Sequence, residues 1–90
     1  MMEKKTKEEL ESDLMYQTQM LIWRRGYSDK KKLATERYMR SYIKALTIGE
    51  LKRYIDFINR NGVYHVDIVH KVDQASEGYD KFMQNRGISY

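Results

Sequence analysis

Arg24, Arg25, Lys30, Arg37, Arg40 and Lys44 are the residues whose type and spacing define a chemistry in this sequence. At 100° per residue, Lys30, Arg37, Arg40 and Lys44 fall within one arc of roughly 80°. A row of guanidinium and ammonium groups on one helix face binds anions. It can touch successive phosphates and release their counterions, or it can pair with an acidic protein surface. Trp23 and Tyr27 stand at the edge of the row, and Tyr27 and Tyr38 carry rings able to stack on bases or add hydrogen bonds. Leu33 lies inside the same arc and is expected to be exposed as a further contact. The plain alternative is a solvated helix face.

The net charge of +4 is concentrated there. Residues 28–46 hold six basic and two acidic groups, whereas residues 1–27 hold five of each. Residues 47–62 add a single positive charge and residues 63–90 a single negative one. Lys31 and Lys32 place more positive charge in a first helical turn, where the macrodipole disfavours it.

Other chemistries find little support. With no cysteine, a thiolate nucleophile, a disulfide framework and a cysteine metal site are all excluded. The five glycines, at 26, 49, 62, 78 and 87, form no phosphate-cradling loop. No nucleophile elbow surrounds any serine. His65 and His70 would stand about 140° apart on a helix and on opposite faces of a strand, so they do not share a metal. His70, Asp73 and Glu77 share a helical face that reads as solvated polar surface rather than a metal site. Glu8-Glu9 and the Asp73/Glu77/Asp80 band read as dipole complement and solvated surface, not as an acid–base pair. No catalytic residue, metal or cofactor is expected.

Four helices must position these groups, over residues about 7–25, 29–46, 48–61 and 67–86. Thr6 with Glu9 and Thr47 with Glu50 form capping boxes, Ser28 caps the second helix, and Asp67 is the expected cap of the fourth. Gly26, Gly62 and Gly87 are the expected stops. The fourth helix gathers Ile68, Val72, Ala75, Tyr79, Phe82 and Met83 in one arc, with Asp73, Glu77 and Asp80 opposite. The third gathers Ile48, Leu51, Tyr54, Ile55 and Ile58. Residues 63–66 read equally as helix, link or short strand, because their β-branched side chains leave the choice open.

The first helix differs from the rest. Leu10, Leu14 and Leu21 form one stripe, Tyr16, Met20 and Trp23 a second, and Met15 with Ile22 a third. A helix apolar nearly all round is either central in the bundle or shared with another chain, so a homodimer through this helix is the alternative to a central position. The fold expected is one small, compact, all-α bundle of four helices, which suits 90 residues and a chain with no proline.

A weak helix-turn-helix can be drawn over residues 51–72 around Gly62, with Val63 and Ile68 as its apolar positions. Ile58 stands where a small residue is wanted, and Lys71 where an apolar one is wanted. The reading helix would offer His70, Lys71 and Gln74 to bases, while Asp67 and Asp73 repel phosphate. Tyr, Met, Trp and Arg, which are enriched at interfaces, cluster from Met15 to Arg25 and from Arg37 to Tyr42.

The start, Met1 to Leu14, has no apolar stretch of a secretory signal, and the run Met20 to Trp23 is far too short to span a membrane. A cytoplasmic protein is expected. Phe, Tyr, Met, Ile, Asn and Lys make up 36 of the 90 residues against 15 for Gly, Ala, Arg and Pro. That bias points to an AT-rich genome and to the small basic products that phages and plasmids encode. The expected function is a non-catalytic regulator that binds a protein partner through the basic, Tyr- and Arg-rich surface. The alternative is a small DNA-binding regulator of transcription or replication, using the same row or the helix-turn-helix.

Overall fold

The computed structural model describes residues 5–85. It contains α1 (Lys7–Arg24), α2 (Asp29–Lys44), α3 (Ile48–Asn61) and α4 (Val66–Asn85), with no strand among the described residues. The expected stop at Gly87 lies outside them.

Both capping boxes form. The Thr6 hydroxyl accepts from the Glu9 amide at 3.1 Å while the Glu9 carboxylate accepts from the Thr6 amide at 2.8 Å. Thr47 and Glu50 repeat the exchange at 3.1 and 2.9 Å. The Ser28 hydroxyl caps α2 at 3.4 Å from the Lys31 amide. Gly26 and Gly62 both turn left-handed at φ 69°, a backbone region that costs a glycine nothing. Gly62 ends α3 with its amide donating to the Ile58 carbonyl at 2.8 Å. The second helix stops at Lys44, two residues earlier than expected. There the Leu46 amide donates to the Ile43 carbonyl at 3.1 Å, tightening the last turn.

The cap of α4 corrects the sequence reading. Asp67 lies inside the helix, and His65 caps it instead, its ring Nδ1 accepting from the Asp67 amide at 3.0 Å. Histidine is outside the usual set of capping residues, so the preference for short polar side chains pointed two positions too far along. Residues 62–65 form a link, neither helix nor strand.

The principal contacts run α3 on α1, α1 on α2 and α2 on α4. Leu14, Ile22, Met39, Leu51, Ile68 and Val72 are fully buried in one shared core. The α1 helix lies between α2 and α3, with Leu10, Leu14, Met15, Leu21 and Ile22 all in that core. Tyr16, from its second stripe, is 62% exposed. Two hydroxyls share the core's dry interior by bonding back along their own helices. Thr18 donates to the Leu14 carbonyl at 2.8 Å and Thr35 to the Lys31 carbonyl at 2.7 Å. No helix among the described residues is long and apolar enough to cross a membrane.

Candidate functional site

The α2 helix positions the site by being sandwiched. Met39 and Ile43 point into the core, one flank meets α1 and the other meets α4. The Trp23 indole donates to the Glu36 carboxyl at 2.7 Å on the α1 side, while Lys31 pairs with Asp80 at 2.9 Å on the α4 side. What remains is the outer face, and Lys30, Arg37, Arg40 and Lys44 occupy it, all exposed. None of the four side chains has a carboxylate within ion-pair distance among the described residues. From Lys30 to Lys44 the row is about 21 Å long at 1.5 Å per residue. Leu33 lies among them at 61% exposure, as its position in the arc requires.

The other candidate residues separate from this row. Arg25 is exposed but stands 3.3 Å from Asp73, and so joins the α1–α2 turn to α4. Arg24 is exposed at the end of α1, next to Trp23, which is the residue facing α2. Trp23 keeps 54% of its surface exposed, with its indole nitrogen engaged by Glu36 and Lys32 5.9 Å from its ring centre. Tyr27 packs against the core and carries Lys31 over its ring at 4.8 Å. Lys31 and Lys32, which the macrodipole disfavours, are thus compensated by Asp80, Asp29 and two aromatic rings. The structure therefore assembles four of the six cations into one open face and uses a fifth, Arg25, as a fastening.

Two features beyond this face were not legible in the sequence. Beside the α2 row, the α2–α4 joint opens into a mostly apolar groove of about 360 Å³ lined by Ala34, Tyr38, Ala75, Gly78, Tyr79 and Phe82, and by the polar Gln74. Phe82 and Tyr38, expected in or next to the core, are 54% and 45% exposed at its rim. The groove exists because three of its lining residues are Ala or Gly, a signal present in the sequence but invisible until antiparallel packing set Ala34 against Ala75 and Gly78.

The second feature is a polar cluster that ties α3 to α4. The Tyr54 hydroxyl donates to Asp67 at 3.1 Å and accepts from Arg53 at 3.4 Å. The His65 ring stands edge-on to Tyr54 and Phe57, with centroids 5.0 and 4.7 Å apart. Tyr42 of α2 lies beside it, with Lys71 5.3 Å over its ring. Burial first, then the Tyr54 hydroxyl and the Asp67 and Glu50 carboxylates, push the Tyr42 phenol up from 10.0 to about 12. These groups satisfy one another, and among the described residues no set of three or more His, Asp or Glu could hold a metal ion.

The pair compared with a helix-turn-helix is α3 and α4. They meet at this cluster, but each packs chiefly on another helix, α3 on α1 and α4 on α2. Lys71 sits against Tyr42, leaving His70 and Gln74 exposed. Compared with protein families, with characterised proteins and with solved structures, the chain matches none.

Proposed function

We propose that this chain is a small, non-catalytic, cytoplasmic regulatory protein that binds an acidic protein partner through the outer face of α2. The observation behind this reading is the division of its cations. Arg25, Lys31 and Arg53, at the helix joints, stand against carboxylates, while Lys30, Arg37, Arg40 and Lys44 are exposed with none within 4.0 Å among the described residues, Arg40 and Lys44 sharing a surface pocket with Glu8 and Glu11 of α1. Charges left open in one patch attract a complementary surface and steer it over a distance set by the Debye length, about 8–10 Å in physiological salt. Exposed Leu33 and Tyr38 add the apolar contact that protein partners use and that a phosphate backbone does not.

The test is capture from a nuclease-treated lysate of the source cell. A defined protein should be retained by the wild type and lost by Arg37→Glu with Arg40→Glu. No retained protein, or equal retention by the charge-reversed variant, refutes the reading. A DNA-binding regulator is the second reading, favoured by the spacing of Lys30, Arg37 and Lys44, which repeats every two turns at about 10 Å. It predicts affinity for duplex DNA that falls steeply with salt, with a slope flattened by Arg37→Ala and Arg40→Ala.

The acting unit in this proposal is the single chain. The apolar side chains of α1 lie in its own core, so a second copy would find chiefly Tyr16 and the Trp23 ring there. Light scattering should give a mass near 10.9 kDa, and twice that value would restore the dimer through α1.

A further inference from the structure

We infer that the partner presents an acidic amphipathic helix, whose apolar face enters the groove between α2 and α4 while its carboxylates lie on the α2 row. This rests on the reading above and specifies the partner's chemistry. The groove is open to solvent rather than closed. Its α4 wall offers Ala75, Tyr79 and Phe82 at helical spacing, and Gly78 between them leaves its bottom open. A side chain built at Gly78 would meet nothing within 4 Å. Glycine inside a helix costs about 1 kcal/mol relative to alanine, and here its effect is to keep room for two or three apolar side chains from outside.

The charges around the groove select the occupant. On α2, Lys30 lies one turn before Ala34, and Arg37 is about 60° round the helix from it. On α4 the groove's outer edge carries Gln74, and Lys81 lies next to it, both exposed. Asp73 and Asp80 lie on the other flank of α4, paired with Arg25 and Lys31, and Glu77 lies one turn before Lys81, about 40° further round the helix. The α2 rim is therefore cationic, and the α4 rim carries Lys81 beside the neutral Gln74, over a mostly apolar floor. A second copy of this chain would bring like charges together, and duplex DNA has no apolar ridge to fill the floor. A helix with hydrophobic residues at i, i+3 or i+4 and i+7, flanked by Glu or Asp, satisfies both demands at once.

The test uses the full chain and a designed helical peptide of about 15 residues with Leu and Phe on one face and Glu on the flanks. A control peptide keeps the glutamates and replaces the apolar face with Gln and Ser, and a short DNA duplex is the third probe. The amphipathic peptide should bind at least about tenfold tighter than the control. Gly78→Leu, which fills the floor without changing charge, should reduce that affinity to the level of the control, and Tyr38→Ala should lower it severalfold. Circular dichroism of both variants should match the wild type. If Gly78→Leu and Tyr38→Ala leave the affinity unchanged while Arg37→Glu abolishes it, the groove is not the site, although the α2 face still binds anions. If neither peptide binds in low salt, the inference fails, and the lysate capture alone decides the reading beneath it. DNA binding tighter than either peptide overturns the choice of a protein partner.

Discussion

Lys31 and Arg37 belong to the same helix and carry the same charge, yet their surroundings are opposite. Lys31 lies half-buried at the joint with α4, with Asp80 2.9 Å away and the Tyr27 ring beneath it. Arg37 is exposed on the far face, with no carboxylate in reach among the described residues. The same contrast separates Arg25, fastened to Asp73, from Arg40 and Lys44. Charge at a joint is compensated because a cation losing water needs another partner. Charge on an open face keeps its water and stays available. The proposed binding surface rests on the unpaired cations that share one helix face rather than on the densest run of lysines.

The contrast can be broken or sharpened by substitution. The largest effect is expected on the inner face. Met39 is fully buried, and Met39→Ala should lower the unfolding free energy by about 2–5 kcal/mol in urea denaturation. A smaller loss would mean that α2 is held by something other than its packing.

The next effect is on pH dependence. The folded-state pKa of Tyr42 lies above its unfolded value, so the stability it contributes is complete below pH 10 and is lost as pH rises towards about 12. Thermal unfolding across that window should show a loss of stability that Tyr42→Phe removes, smaller than the full shift implies because the phenol is partly solvated.

Glu36→Ala should cost about 1 kcal/mol and change the fluorescence of Trp23, whose indole nitrogen would pass from a carboxylate to water. Asp80→Asn should cost less than about 1 kcal/mol, the usual range for an ion pair with one exposed member, and the loss should shrink in high salt. The smallest effect belongs to the open face. Arg37→Ala should leave stability within about 0.5 kcal/mol while weakening partner binding. If Arg37→Ala destabilised the fold as much as Asp80→Asn, the contrast between open face and joint would disappear.

Much of this architecture was legible in the residues. Three of the four caps, the two left-handed glycines and the helix bounds that fall within the described residues, to within two positions, follow from short-range hydrogen-bond chemistry, which depends on neighbours three or four positions away. The cationic row was legible for the same reason, since the helical period alone places Lys30, Arg37, Arg40 and Lys44 together. Reading the row back across the turn to Arg24 and Arg25 went further than that period allows, because the direction of a side chain beyond a turn depends on which helix it meets. Asp73 meets Arg25, and nothing local announces a partner 48 positions along. The His65 cap was missed because its geometry depends on the ring being held between Tyr54 and Phe57.

By itself, then, the sequence determined the helices, their polar and apolar faces and the place of the excess charge, all properties with a period of a few residues. Tertiary structure alone decided which cations are fastened and which are open, that Glu36 lies buried against Trp23, and that Phe82 and Tyr38 rim a groove instead of filling the core. The physical reason is that a helical period sets directions around one axis. Pairing, burial and open space depend on the distance between two axes, and that distance exists only once α2 has packed between α1 and α4.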